Sequence, residues 1–175
     1  MTPRKFFTIL LLLIGLFVAF IITASLAPIN YEGSRSESLT DRPIEVWRNL
    51  VSVEIIPKRK PDVETVDILF IGDRGEVTWR ENLKNGETRT MRILERGAPY
   101  YISIEQFQSS YGVTGVWEYS LRQVNDETIV TVTEKSVNNN IWLRGYYTII
   151  GRNTLIKREL KSLRVSLFQR LLTTE

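Results

Sequence analysis

With 175 residues, 43% hydrophobic and 25% charged, the chain has room for one domain plus an anchor but not for two ordinary domains with separate cores. It holds neither cysteine nor histidine, which excludes disulfides, thiolate nucleophiles, Ser-His-Asp catalysis and the common zinc ligand sets; any chemistry rests on carboxylates, Lys, Arg or Tyr. The formal charge of +3 does not point to nucleic acid, because Arg4 and Lys5 are two of the 23 bases and leave 21 against 20 acids beyond them.

From Phe6 to Ala27 the chain runs 22 residues without a charge, FFTILLLLIGLFVAFIITASLA. At ~1.5 Å per residue a helix of that length covers roughly 33 Å, which matches a hydrocarbon core. A cleaved signal peptide is the rival reading, since Ser25-Leu26-Ala27 resembles a small-residue cleavage site. The run is longer than the roughly 7–15 apolar residues of such a segment, and Pro28 would follow the cut, so an uncleaved transmembrane helix over 6–27 is expected. Residues 1–5 carry Arg4 and Lys5, whereas 28–34 carry only Glu32. The positive-inside rule then predicts a single-pass protein with a cytoplasmic N-terminus and an extracytoplasmic domain.

Residues 28–34 read as a linker and 35–172 as the domain, opening with a strand over Arg35–Leu39. A helix follows, capped by Thr40 or Asp41, with Pro43 early and Ile44, Val46, Trp47, Leu50 and Val51 at helical spacing. Pro57 and Pro61, bracketing Lys58-Arg59-Lys60, end any second short helix. Six strands are expected at about 63–71, 75–84, 87–96, 100–109, 112–124 and 127–137, joined as an antiparallel meander. Its turns are Gly72-Asp73-Arg74-Gly75, Asn85-Gly86, Gly97-Ala98-Pro99, Ser109-Ser110 and Asn125-Asp126. Asn85-Gly86 is the strongest hairpin signal and predicts a type I′ turn, with positive φ at both central residues.

Over Asn140–Leu172 the residues Trp142, Tyr146, Ile149, Ile156, Leu160, Leu163, Leu167 and Leu171 recur at spacings of three, four and seven, one apolar face of a long helix. Gly145 and Gly151 weaken its first part and allow a bend or a close approach. The opposite face carries Arg144, Arg152, Lys157, Arg158, Lys161, Arg164 and Arg170, with Glu159 the one acid before the terminus. Such a face is either solvated or lies against anionic headgroups.

Strand, short helices, meander and long final helix is an α+β order, and the residues at key points are suggestive. They are Leu39-Thr40-Asp41-Arg42-Pro43-Ile44-Glu45-Val46-Trp47 before the first helix, Val77-Thr78-Trp79-Arg80-Glu81 early in the meander, and Val116-Trp117-Glu118-Tyr119 and Thr131-Val132-Thr133-Glu134 late in it. The soluble part resembles the SRPBCC or START-like superfamily, near its polyketide cyclase/dehydrase and lipid-transport branch; the N-terminal anchor departs from the commonest soluble form. The resemblance implies a helix-grip fold, a curved antiparallel sheet around a long C-terminal helix with an apolar cavity between them for a lipid or other hydrophobic small molecule. No cofactor and no metal are expected.

Glu81 interrupts the apolar face Val77, Trp79, Leu83, and Glu134 interrupts the one begun by Val130 and Val132. Lining a cavity, these carboxylates would have raised pKa values and could hold a polar ligand group or act as acid/base; otherwise they reach solvent at strand ends or pair with an Arg. Trp117 and Tyr119 share a strand face, and Trp142 and Tyr146 share the apolar helix face, as cavity wall or as plain core. Trp79, Glu81, Trp117, Tyr119, Glu134, Trp142 and Tyr146 are therefore the cavity candidates. Nucleotide-binding and hydrolase motifs G-x-x-x-x-G-K-[ST], G-x-G-x-x-G and G-x-S-x-G do not occur. The leading expectation is a binding module. The alternatives are a cyclase or aromatase-like enzyme working through Glu81 or Glu134, and an interaction domain of a membrane complex whose protein partners the sequence does not name.

Overall fold

The uncharged N-terminal run forms a single helix, α1 (Pro3–Leu26), long and apolar enough to cross a membrane. It belongs to a computed structural model that describes residues 3–73 and 75–173. Arg74 of the expected turn, and the side chains of Arg170 and Leu171 expected on the last helix, lie outside the described residues.

β1 (Asn30–Leu39) begins five residues earlier than the expected strand, so most of the expected linker is strand. The reason is its partner: residues 30–39 pair antiparallel, residue for residue, with the last strand, from Asn30 opposite Val137 to Leu39 opposite Thr128. Outward hydroxyls join the two strands through Ser34–Thr133 (3.0 Å) and Ser36–Thr131 (2.8 Å).

α2 (Pro43–Val51) starts later than the Thr40 or Asp41 cap would place it. Pro43 disfavours helical backbone at the residue before it, so Arg42 stays extended (φ −68°, ψ 150°) and becomes the N-cap, with no side-chain cap bond. A 3₁₀ turn over Val53–Ile55 leads into the one-turn helix α3 (Ile56–Arg59), which ends before Pro61.

The six meander strands form as β2 (Val63–Ile71), β3 (Val77–Leu83), β4 (Thr88–Gly97), β5 (Tyr101–Ser109), β6 (Val113–Val124) and β7 (Glu127–Asn138). With β1 they make one seven-stranded antiparallel sheet in the order β1-β7-β6-β5-β4-β3-β2. The β3–β4 hairpin does not use the expected type I′ turn. Of its residues only Gly86 has positive φ (83°), and Gly86 N–H bonds Leu83 O while Leu83 N–H bonds Glu87 O, which describes a three-residue turn closed by a glycine bulge.

The expected single C-terminal helix is two. α4 (Ile141–Ile150) and α5 (Thr154–Thr173) are separated at Gly151, whose φ of 93° no helix accommodates. α5 lies against the inner face of the curved sheet, with Ile156, Leu160, Leu163 and Leu167 buried among Ile102, Tyr119, Leu121, Val130 and Val132. At ~1.5–3 kcal/mol for each buried aliphatic side chain, those four contribute about 6–12 kcal/mol before entropy is counted. This is the helix-grip arrangement. α4 instead packs along α1, which periodicity alone could not indicate.

Candidate functional site

Between the inner face of β3–β7 and the helices α3, α4 and α5 is a cavity of about 350 Å³. Alternation carries the side chains into it: Trp79 and Glu81 from β3, Arg89 and Met91 from β4, Ile104 and Gln106 from β5, Trp117 and Tyr119 from β6, Glu134 and Ser136 from β7. Register orders them across the sheet. Glu81 sits opposite Arg89, the row Trp79, Met91, Gln106, Gly115, Ser136 runs beside that pair, and Trp117 faces Glu134. Gly115 is required there, because a Cβ would come within 2.5 Å of Lys135 O.

The expected cavity is apolar, but this one is amphipathic. At one end Glu159 of α5 accepts a hydrogen bond from Tyr119 Oη (3.1 Å) and faces Arg59 Nη2 at 3.6 Å and Lys60 Nζ at 3.4 Å. Lys60 Nζ also lies 3.5 Å from Glu81 Oε1, which accepts from Trp79 Nε1 at 3.3 Å. Arg59 continues the network by donating to Asn49 O at 3.1 Å. Burial alone would raise the Glu159 carboxyl; Lys60 and Arg59 outweigh it and hold the group below its ordinary value. Burial, and then the Glu159 charge, pushes the Tyr119 phenol well above its usual range.

Toward β7 the balance is different. Glu134 is 2% exposed; its Oε1 accepts from Ser136 Oγ at 2.8 Å and its Oε2 has no hydrogen-bond partner among the described residues. Burial raises this carboxyl to about 7, against the opposing effects of Ser136 and Arg89. Arg89 does not pair with Glu134 because its Nε and Nη2 both bond Glu87, each at 2.8 Å. Glu81, 1% exposed, likewise has an Oε2 without a partner. Tyr147 of α4 also lines the cavity.

Six of the seven candidate residues, Trp79, Glu81, Trp117, Tyr119, Glu134 and Tyr146, meet at this cavity. Trp142 does not; it is 53% exposed and stacks on Phe20 of α1, ring centroids 5.9 Å apart. Arg59, Lys60 and Glu159 were not among the candidates. A signal for Glu159 was present: three residues after Ile156 and four before Leu163, it falls on the apolar face of α5 although it is charged. Among the described residues no cluster of three or more acidic side chains is placed to hold a metal ion.

No family model matches the chain, and no curated protein matches its sequence. Solved structures do match its fold. A START superfamily protein from Mycobacterium smegmatis superposes with a TM-score of 0.65 at 13% identity, covering 79% of this chain and 97% of that one. The chain has a START-like, SRPBCC-type fold. The Zhui aromatase/cyclase from Streptomyces sp. R1128 matches with a TM-score of 0.67 at 17% identity over 81% of this chain and 96% of that one. Norcoclaurine synthase from Thalictrum flavum matches at 0.61 and 10% identity, over 85% and 91%. At these identities the likeness concerns the START-like fold alone.

Proposed function

We propose that this START-like domain binds one small amphipathic molecule in its cavity, held at a membrane by α1. The observation that carries the reading is the pair of buried carboxylate oxygens without donors, Oε2 of Glu81 and of Glu134, on side chains that line the cavity. A buried acceptor left unsatisfied costs roughly 1–3 kcal/mol, which a ligand hydroxyl or amine would recover. Trp79, Trp117, Ile104 and Leu155 supply apolar wall around the charges. A volume of about 350 Å³ lies at the small end of the roughly 300–1,000 Å³ of ligand pockets and suits one ring system or short chain with a polar group.

Native mass spectrometry of the full chain, taken from the membranes of the producing cell in mild detergent, tests this. The expected result is one bound molecule per chain, recovered by organic extraction and absent from Ser162→Phe, which projects a ring into the cavity from α5. A wild-type mass that stays at the apo value after challenge with mixed lipids and their hydrolysis products would refute binding and favour an interaction domain.

A second reading has its own support. A buried carboxyl titrating near 7 with one free oxygen is suited to take a proton from carbon at neutral pH, and two of the structural neighbours carry enzyme names, aromatase/cyclase and norcoclaurine synthase. Return of the extracted ligand to the protein separates the readings: an unchanged molecule assigns binding, whereas a conversion lost in Glu134→Gln assigns catalysis.

A further inference from the structure

α4 lies between two different surroundings. On one side Leu143, Tyr146 and Tyr147 line the cavity. On the other, Trp142 stacks on Phe20 and lies 6.3 Å from Phe17, and Gly145 lets the helices close, since a Cβ there would stand 2.7 Å from both Ala24 Cβ and the Phe20 ring. Small residues at the contact are how helices approach within lipid. The contacts climb both helices in the same direction, 142 with 17 and 20, then 145 with 20 and 24. Just beyond α4, Arg152 Nη2 donates to Pro28 O (2.7 Å) and Tyr31 Oη to Asn153 Oδ1 (2.5 Å). α4 therefore lies beside the last three turns of α1 and not beyond its end.

Length then decides where α4 is. If it stood in water, Phe17 and everything after it would stand there too, leaving Phe6–Leu16 to span; at ~1.5 Å per residue that is about 16 Å of a roughly 30 Å hydrocarbon core. The surface of α4 fits lipid instead. Trp142, Tyr146 and Ile149 are 53%, 48% and 66% exposed, and the helix IWLRGYYTII carries one charge, Arg144. Most N–H groups of its entry are bonded internally, as lipid favours. Asn138 N–H bonds Ile29 O, Asn139 N–H bonds Gly112 O, Asn140 N–H bonds Asn138 Oδ1, and Asn140 Oδ1 accepts from the N–H groups of Trp142 and Leu143.

We infer that α4 is embedded in the leaflet from which α1 emerges and forms the partition between that leaflet and the cavity. This rests on the reading of α1 as a membrane span. The chain contains no cysteine, so single-cysteine spin labels give a clean test on the full chain in phosphatidylcholine–phosphatidylglycerol vesicles. Labels go at Ile149→Cys on α4, Leu12→Cys in the middle of α1 and Asn125→Cys in the β6–β7 turn. Collision with oxygen should exceed collision with a water-soluble nickel chelate several-fold at Ile149 and Leu12, and the order should reverse at Asn125. A lipid-like Leu12 with a nickel-accessible Ile149 overturns the inference and leaves the anchor standing. Nickel access at both sites overturns the anchor itself. A label at Ile149 shielded from both reagents and broadened by a second spin shows the face covered by another copy of the chain, which also overturns the inference.

Discussion

Glu134 makes the stability of this domain depend on pH in the direction opposite to most carboxylates. Its carboxyl is raised from 4.5 to about 7 because it is buried, Ser136 is its one hydrogen-bond donor, and Arg89 is held by both of its bonds to Glu87. Between pH 4.5 and about 7 the folded chain therefore keeps a proton that the unfolded chain has released. Since the native state binds more protons in that window, stability is full below 4.5 and falls as pH rises through 7. At ~1.4 kcal/mol per pH unit the whole window is worth about 3 kcal/mol. Glu134→Gln is nearly isosteric with the protonated acid and has no proton to lose. Urea unfolding of the full chain in micelles, followed from pH 4.5 to 8.5, should give wild type and variant similar stability at the acid end. The variant should lead by about 3 kcal/mol at the alkaline end, and groups that titrate in both proteins cancel in the difference. A difference between the two proteins that stays flat across the range would refute the assignment of this carboxyl to an apolar, unpaired site.

Glu159→Ala leaves Arg59 and Lys60 facing each other without their shared anion; loss of one partner of a buried ion network costs roughly 3–5 kcal/mol, read as a lowered urea midpoint with the slope unchanged. Gly151→Ala places a side chain at φ 93°, a strained backbone worth about 1–3 kcal/mol, and should destabilise by that amount in the same assay; an unaffected midpoint would mean that the α4–α5 break is not fixed by this residue.

The meander was legible because its two faces differ in environment. Alternation in Thr128, Val130, Val132 and Glu134 against Thr131 and Thr133 marks a sheet buried on one side, and the expected bounds 63–71 recur in β2. The same spacing rules placed Trp79, Glu81, Trp117, Tyr119 and Glu134 on inward positions. Three features were not legible, each for its own reason. Periodicity reports which residues of a helix are apolar but not what covers them, so Trp142 looked like sheet-facing core when its neighbour is Phe20. Arg59 and Lys60 read as a charged stop before Pro61, because nothing local indicates an acid a hundred residues away. Asn85-Gly86 identified the hairpin but not its turn, since the dipeptide fits both the I′ turn and the bulged form observed, and the position of the strand ends selects between them.

The charge in the cavity is poorly explained by stability. A buried ion pair offsets its desolvation only with close geometry and every remaining polar atom satisfied; apolar side chains of the same volume are often as stabilising or better. Here Arg59–Glu159 and Lys60–Glu81 stand at 3.6 and 3.5 Å, beyond the ~2.7–2.9 Å of strong charge-assisted bonds. Arg59 Nε, Glu81 Oε2 and Glu134 Oε2 have no hydrogen-bond partner among the described residues. A core selected for folding alone would close these gaps, whereas a site that receives a polar group must hold them open. The unpaired atoms are an acceptor at Glu81, a group at Glu134 that donates when protonated and accepts when ionised, and a donor at Arg59, so on the proposed reading the complementary molecule offers a hydrogen-bond donor to Glu81 and an acceptor at the Arg59 end. On that reading, the apolar remainder of the molecule would lie against Trp79, Trp117 and the tyrosines of α4, all of which line the cavity.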